Sequence, residues 1–454
     1  MISSGGTATG TLIGSGGSEV ISGGGVASGT TVSNGTEVVL TGGTARSTTV
    51  AEGSQVISSG GAASGTVVNV FGDQFVSAGG ATFGTVVLRG GNETVSSGGT
   101  ANGTVVSSGG TDTLLSGGVA NFTVISNTGT ENVSSGGTTS NAVVEDQGNE
   151  YVLSGGTADF AVVSNGGLEG VSEDGLTSGT VVSSGGWELI SGGTANATVV
   201  SSGGLQTVEG DTSLANFTVL SSFGTQFVSN GGQASGTVIA SNGLQVVTTR
   251  GIAFGAVVNN GGFQSVVENG RASGTLLSSG GQETVDFLGT ANFVVVSSGG
   301  FQLVSSGGAT NSTVISSGGF QLVSSDSTAS NTVIDNGGSQ SVFSSTVSDT
   351  VVNGGLQLVS TGGVASNTVI SNGGSQTISS GGTASFTVVS SGGSESVRFG
   401  GVTISTIISN GGFESVQQSG TTIGTVIRGG VEVAAGGTAS GTVVSSGGSM
   451  EVEL

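Results

Sequence analysis

The chain has no cysteine, proline or histidine among its 454 residues, and its six basic residues are all arginine. Without cysteine it forms no disulfide, carries no thiolate nucleophile and builds no cysteine-based zinc site. Without histidine it lacks the side chain that most often serves as a general base. These absences argue against an enzyme before any sequence pattern is considered.

Positive charge is also scarce. Six arginines stand against 28 acidic residues, which gives a formal net charge of −22. A surface of this sign repels phosphate groups, so we expect no nucleic acid and no anionic lipid among the partners. No apolar run approaches the roughly 20 residues of a membrane-spanning helix, so we also expect no direct membrane insertion.

Glycine, in contrast, is abundant, with 93 residues placed at regular intervals. One glycine position recurs 24 times between Gly17 and Gly448, at a spacing of about 19 residues. Four residues after each of these glycines the side chain is apolar, as in Ile21 and Val39. A period of this length indicates a repeat protein, in which one copy buries too little to fold alone and stacked copies share a core.

Each repeat contains two short segments with strand character, a Thr-Val-Val segment such as 104–106 and a Glu/Gln-x-Val segment such as 395–397. We therefore predict an all-β fold, a right-handed parallel β-helix (β-solenoid) of about 24 repeats of about 19 residues, forming a single domain over residues 1–454. The period fits a two-sided stack as well as a three-sided coil. We expect the small residue after Gly-Gly, such as Ala101, to fill a tight corner.

A column of acids and amides occupies the second position after the repeated glycine. Glutamines in neighbouring coils can form an amide ladder, whereas neighbouring glutamates repel each other. Because a buried column of carboxylates is costly, we expect a bulge that turns it outward as a solvated polar ladder. Calcium between the coils is the alternative. The predicted ladder residues are Glu131, Glu150, Glu169, Glu188, Gln302 and Gln321.

A second column, directly after the repeated glycine, holds large apolar side chains in several repeats. Polar residues fill the same position elsewhere, so the position tolerates water. An aromatic stripe of this kind is a candidate contact surface, and the alternative is that these rings only cover the core. The candidate contact residues are Trp187, Phe263, Phe301, Phe320 and Phe413.

Polysaccharide-cleaving enzymes also use β-helices, but their sites gather acids and bases in a groove. Here the acids follow the repeat, the arginines are scattered and no insertion is long enough to build a pocket. We therefore predict a protein that is not an enzyme, with no catalytic, cofactor-binding or metal-binding residues.

Two phrases carry a family resemblance: residues 97–110 read SGGTANGTVVSSGG and residues 436–448 read GGTASGTVVSSGG. They resemble the passenger-domain repeats of AIDA-type autotransporter adhesins, the group that includes antigen 43. The resemblance extends over nearly the whole chain. It implies a β-helix displayed on the surface of Gram-negative bacteria that mediates adhesion, autoaggregation and biofilm formation, and whose serines and threonines receive heptose from a heptosyltransferase.

Two departures from this family concern export, because we expect neither a signal peptide nor an outer-membrane barrel within this chain. The hypothesis is a cell-surface, extracellular adhesin that binds itself on neighbouring cells or host-surface receptors through repeated lateral contacts. The alternative is a passive stalk that displays another binding domain.

Overall fold

Each repeat folds into three short strands rather than the two that the sequence predicts. The structure is a computed structural model that describes residues 1–453, and every regular element in this range is a β-strand. In the repeat that follows Gly99 the strands are Thr100–Asn102, Val105–Val106 and Thr111–Leu114. Within the described residues no helix is long and apolar enough to cross a membrane.

The first strand of each repeat belongs to what we call the alanine sheet, after the buried alanine at the centre of most of its strands. Ala101 is such a residue, so the prediction that it fills a corner is wrong. The strands are Thr7–Thr9, Val26–Ser28, Thr44–Arg46, Ala62–Ser64, Ala81–Phe83, Thr100–Asn102, Val119–Asn121, Thr138–Ser140, Thr157–Asp159, Leu176–Ser178, Thr194–Asn196, Leu214–Asn216, Gln233–Ser235, Ile252–Phe254, Arg271–Ser273, Thr290–Asn292, Ala309–Asn311, Thr328–Ser330, Thr346–Ser348, Val364–Ser366, Thr383–Ser385, Val402–Ile404, Thr421–Ile423 and Thr438–Ser440.

The second strand belongs to the valine sheet, whose strands follow a buried threonine in most repeats and bury their second residue. The strands are Leu12–Ile13, Thr31–Ser33, Thr49–Ala51, Val67–Asn69, Val86–Val87, Val105–Val106, Val124–Ile125, Val143–Val144, Val162–Val163, Val181–Val182, Val199–Val200, Val219–Leu220, Val238–Ile239, Val257–Val258, Leu276–Leu277, Val295–Val296, Val314–Ile315, Val333–Asp335, Val351–Asn353, Val369–Ser371, Val388–Val389, Ile407–Ile408, Val426–Ile427 and Val443–Val444.

The third strand belongs to the Glu/Gln sheet, which carries both columns that the sequence singles out. The strands are Ser18–Ile21, Thr36–Val39, Ser54–Ile57, Asp73–Val76, Asn92–Val95, Thr111–Leu114, Thr130–Val133, Asn149–Val152, Leu168–Val171, Trp187–Ser191, Leu205–Glu209, Thr225–Ser229, Leu244–Val247, Phe263–Val266, Gln282–Val285, Phe301–Val304, Phe320–Ser324, Ser339–Phe343, Leu356–Ser360, Ser375–Ser379, Ser394–Val397, Phe413–Gln417, Val431–Ala435 and Ser449–Glu453.

Strands of one sheet pair in parallel and in register from one repeat to the next. Glu131 faces Glu150 in the Glu/Gln sheet, for example, and corresponding residues face each other in the other two sheets. This arrangement confirms the predicted parallel β-solenoid of about 24 turns spaced about 19 residues apart. Three sheets per turn make the coil three-sided.

The chain divides into two compact units. The first comprises residues 1–227 with Gly231–Ala234, and the second comprises Val228–Asn230 with residues 235–454. The single domain over residues 1–454 stays a prediction.

The apolar part of the interior consists of two separate stacks of side chains. Alanines of the alanine sheet pack against the last apolar residue of the Glu/Gln strands, as Ala27 and Ala45 do with Ile21 and Val39. The inward valines of the valine sheet form a separate stack that includes Val87 and Val106. Because each layer contributes the same small set of side chains, the stacks extend over many turns, with one break in the first unit between Val133 and Val152.

The repeated glycine itself is fixed by a close approach of backbone to backbone. A Cβ atom built on Gly110 would lie 2.3 Å from the carbonyl oxygen of Val87 in the preceding turn. The glycine before it, Gly109, adopts a φ of 80° with open space around it. The pair therefore combines a left-handed turn with a position that has no room for a side chain.

Replacement of Gly110 by alanine should destabilise the first unit by about 1–3 kcal/mol, because the new methyl group collides with a hydrogen-bonded backbone that cannot move freely. Urea unfolding of the purified chain measures this loss. Gly103→Asn is the matched control, since Gly103 has open space and asparagine occupies the same corner at Asn141. A cost at Gly103 as large as that at Gly110 would contradict the steric explanation.

Candidate functional site

The Glu/Gln column lies inside the coil, so the prediction that a bulge turns it outward is wrong. Each of its 23 acid and amide members is at most 8% exposed. The strands stay extended through this position and alternate strictly, with residues two and four of Thr130–Val133 buried and residues one and three facing out. As a result the predicted ladder residues Glu131, Glu150, Glu169, Glu188, Gln302 and Gln321 cannot make lateral contacts with another molecule.

Threonine hydroxyls from the other two sides of the coil supply hydrogen bonds to this column. The Thr104 hydroxyl, which precedes a strand of the valine sheet, donates to Glu93 Oε2 at 2.8 Å. The Thr82 hydroxyl of the alanine sheet donates to Glu93 Oε1 at 2.9 Å. The threonine of the repeated Thr-Val-Val phrase is therefore a core residue whose hydroxyl stabilises a buried carboxyl group.

The glutamines form the amide ladder that the sequence predicts, but in the interior. Gln321 Nε2 donates to Gln302 Oε1 at 2.7 Å, and Gln302 Nε2 donates to Glu283 Oε2 at 2.7 Å. In the first unit Gln55 Nε2 donates in the same way to Glu37 Oε2 at 2.5 Å. Each of these amides donates to a side-chain oxygen in the preceding turn. The first glutamine of each run therefore follows a glutamate, whose carboxylate accepts this hydrogen bond and need not donate one.

Burial changes the ionisation of the acids in this column. It raises the pKa of Glu283 and Glu395 to about 7, and it raises the pKa of Glu150 and Glu169 well above the usual range, with repulsion from neighbouring carboxylates adding to the effect. For Glu283 one carboxylate oxygen, Oε1, has no hydrogen-bond partner. The described residues contain no group of three or more histidine, cysteine or acidic side chains that could hold a metal ion.

The aromatic column lies on the outward face of the Glu/Gln sheet. Trp187 and Phe413 are 38% and 40% exposed, and the other three rings are half-buried. Phe301 and Phe320 occupy adjacent turns and stack, with ring centroids 5.7 Å apart and planes 18° from parallel. Trp187 lies in the first unit and its indole Nε1 donates to Thr207 Oγ1 at 3.1 Å.

Beside this stack the second unit has a shallow groove of about 310 Å³. Its floor is formed where the outward positions carry the small residues Ser339 and Ser341. Phe320 borders the groove in the preceding turn, Leu356 and Leu358 border it in the following turn, and Arg398 completes the lining. The groove therefore places an aromatic ring, two aliphatic side chains and one cation around a patch of hydroxyls.

Sequence reasoning missed a second set of exposed aromatic side chains, at the corner between the alanine and valine sheets. Each of these phenylalanines has a positive φ of 56–59° and is 59–67% exposed, at a position where many other repeats place glycine. The signal is a phenylalanine directly before the second segment, as in Asn121-Phe122-Thr123. The residues are Phe122, Phe160, Phe217, Phe293 and Phe386.

Three segments of the chain match one protein family. Residues 189–243, 246–300 and 357–412 match the family described as adhesin of bacterial autotransporter system, probable stalk. The resemblance to AIDA-type repeats is confirmed. A search of the curated proteins finds no match.

Solved structures similar to this chain include a TibC-catalysed hyper-glycosylated fragment of TibA, with 25% identity, 87% of this chain and 97% of that chain covered, and a TM-score of 0.21. The alginate lyase AlyGC of family PL6 shows 9% identity, covers 98% and 95% of the two chains and has a TM-score of 0.21. An endo-xylogalacturonan hydrolase from Aspergillus tubingensis shows 13% identity, covers 72% and 88% and has a TM-score of 0.12. With TM-scores this low, none of the three supports a transfer of function.

Val294→Thr should stabilise the second unit at alkaline pH. In the corresponding place Thr275 donates to Gln264 Oε1 at 3.0 Å, and Val294 leaves Glu283 without that hydroxyl. Because the folded pKa of about 7 lies above the ordinary value of 4.5, the stabilising contribution of Glu283 is complete below pH 4.5 and is lost as the pH rises through 7. The variant should raise the urea midpoint at pH 8 and leave it unchanged at pH 5, whereas Val295→Thr, on the outside, should change neither.

Gln321→Leu should cost about 2–4 kcal/mol, because it leaves both Gln302 Oε1 and the Gln340 amide without their ladder partners. The loss appears as a lower urea midpoint. Gln282→Leu is the control, since Gln282 lies exposed on the same sheet and should change stability by less than about 0.5 kcal/mol. Equal effects of the two changes would show that the amide ladder contributes little.

Proposed function

We propose that the chain is the cell-surface passenger of a Gram-negative autotransporter adhesin and that it promotes autoaggregation and biofilm formation. The observation that carries this proposal is the match of three separate segments to the adhesin stalk family. The partner is a second copy on a neighbouring cell or a host-surface receptor. The chain acts without a catalytic centre, through contacts that recur from turn to turn.

The contact surface we propose is the outward aromatic column, Trp187, Phe263, Phe301, Phe320 and Phe413. The Glu/Gln column is excluded from this role because its side chains are buried. Phe301 stacks on Phe320, and Phe320 borders the groove with Leu356 and Leu358, so this part of the second unit places several apolar side chains beside one another. Large aromatic and aliphatic side chains supply most of the energy of protein contacts, because they bury much area at small entropic cost.

Repetition strengthens such contacts. Once one turn has engaged, the neighbouring turns bind at high effective concentration, so weak individual contacts add up to firm attachment. Similar outward positions recur on successive turns of one unit, which is all that such attachment requires.

A passive stalk is the second candidate function, and the wording of the matched family, probable stalk, favours it. In that role the chain holds another binding domain at a distance and its own outward columns need only be soluble. Glycosylation of outward serines and threonines by a heptosyltransferase, which the family resemblance implies, stays a prediction under either function.

Beads coated with the purified chain separate the two functions. We expect the beads to clump, because an adhesin binds its own copies whereas a stalk leaves the beads dispersed. Phe301→Ser combined with Phe320→Ser should reduce clumping at least tenfold if the aromatic column makes the contact. Phe293→Ser combined with Phe386→Ser is the matched control, since it removes two exposed rings from the corner of the same unit. Loss of clumping only in this control would move the contact surface to the corner.

A further inference from the structure

Six successive turns of the first unit carry an acid at the inward position of the Glu/Gln sheet. The residues face each other in register, and glutamine occupies this position in the turns before and after the run. Elsewhere in the column at most three acids follow each other. The run consists of Glu93, Asp112, Glu131, Glu150, Glu169 and Glu188.

The threonine hydroxyls that donate to this column in other turns are missing in the middle of this run. Ala142 and Ala161 stand where the Thr-Val-Val phrase places the threonine that donates to this column. Neither carboxylate oxygen of Asp112, Glu131 or Glu150 has a hydrogen-bond partner, and all three side chains are fully buried. Six oxygens in three adjacent turns therefore lack a hydrogen-bond partner.

Two buried hydroxyls stand next to these acids and are also unpartnered. Thr123 and Thr139 lie close enough to Glu131 to lower its pKa, but neither makes a hydrogen bond of normal geometry. Thr123 belongs to the turn of Asp112, whose side chain is one methylene shorter than glutamate and does not reach it. A buried hydroxyl without a partner is rare in proteins, and here it shows that the hydrogen-bond network around these acids is incomplete.

No positive charge is available to balance carboxylates at this place. All six arginines are exposed. The groups that face Glu131 from the alanine sheet are Ala120, Thr139 and Ala158, and those from the valine side are Thr123, Ala142 and Ala161, none of which is titratable. The titratable groups around it are the other five acids of its own column.

We propose that this run is an internal proton-binding site, in which successive carboxyl groups share hydrogen ions, and that the first unit loosens when these protons are lost to alkaline solvent. A neutral carboxyl group donates its O–H to an oxygen of the acid in a neighbouring turn, and thus does what the glutamine amide does in the ladders. Loss of the proton leaves adjacent buried carboxylates about 4.8 Å apart with no hydrogen-bond donor between them.

The direction of the pKa shifts agrees with this geometry. Burial, followed by repulsion between neighbours, raises the pKa of Asp112, Glu150 and Glu169 well above the usual range, and burial raises the pKa of Glu131 to about 7. A folded pKa above the unfolded value means that the folded state binds more protons. Stability is then complete below the unfolded value near pH 4.5 and declines as the pH rises through 7 and beyond.

The test compares urea unfolding of the wild-type chain at pH 6 and pH 9 with that of Asp112→Asn, Glu131→Gln and Glu150→Gln combined. Each additional proton in the folded state makes the unfolding constant rise about tenfold per pH unit. We expect this constant to rise at least tenfold more in the wild type than in the triple variant. Asp146→Asn, which changes an exposed acid of the same region, should behave like the wild type. Equal pH dependence in the wild type and the triple variant would overturn the proposal.

Hydrogen exchange locates the effect within the molecule. After correction for the intrinsic rate, peptides from residues 93–188 should lose protection between pH 6 and pH 9. Peptides from residues 302–376, where glutamine fills the column in every turn, should keep theirs. Loss of protection in the glutamine segment alone would count against the acid run.

Two further measurements do not depend on the triple variant being folded. The infrared carbonyl band of neutral carboxyl groups should persist in the folded wild type at pH 7 and vanish on unfolding, and absence of the band in the folded chain would overturn the proposal. Calcium chloride or a chelator at pH 9 should leave the urea midpoint unchanged. A midpoint that calcium restores would assign the acids to a metal ion instead of protons.

Discussion

The in-register parallel stack is the constraint on which this structure depends. When every turn has the same phase, each side chain meets its own counterpart in the next turn about 4.8 Å away, so its chemistry must be compatible with itself. Valine and alanine satisfy this condition by packing, and glutamine satisfies it by donating an amide hydrogen to the preceding turn, as Gln321 does to Gln302. Glutamate satisfies it only with help from threonine hydroxyls, from a following glutamine or from protons. The repeated glycine obeys the same constraint, because the carbonyl of the preceding turn lies where a Cβ atom would be.

The parallel solenoid could be predicted from the sequence because it follows from the spacing of residues. The buried position of the acids could not, because it depends on whether hydrogen bonds offset the cost of burial. The spacing of Gly110 and its equivalents, together with the apolar residue four places later, led directly to a parallel solenoid. The general cost of burying carboxylates then suggested a bulge at Glu131 and Glu150, although strict alternation already placed them inside. That cost is met by Thr82 and Thr104 at Glu93, for example, and these donors come from other strands, so spacing along one strand could not reveal them. The alanine strand was missed because most of these segments have only three residues with alanine, which is depleted in strands, at the centre.

The inward and outward faces of the strands have different roles, one in the fold and the other in function. The inward positions maintain the coil and change little in character from turn to turn, whereas the outward positions of the Glu/Gln sheet range from serine to tryptophan. Interactions with other molecules therefore depend on the outward positions. The same separation applies to charge, because eleven interior acids have a raised pKa. If all eleven hold protons, the formal net charge falls from −22 to −11, and copies of the chain repel each other much less than the composition suggests.

The one-way direction of the amide ladder also bears on how such a gene can change length. Since Gln206 donates to Glu188, and other ladder glutamines likewise donate to the acid or amide of the preceding turn, a whole repeat can be lost or duplicated by recombination without breaking the hydrogen-bond order. The repeat that becomes adjacent places an accepting side-chain oxygen at the same position of the Glu/Gln strand. Such exchange is restricted mainly where it would bring acids together beside alanine, as at Ala142 and Ala161. If the number of turns changes in this way, the interior column would limit which repeats can become neighbours.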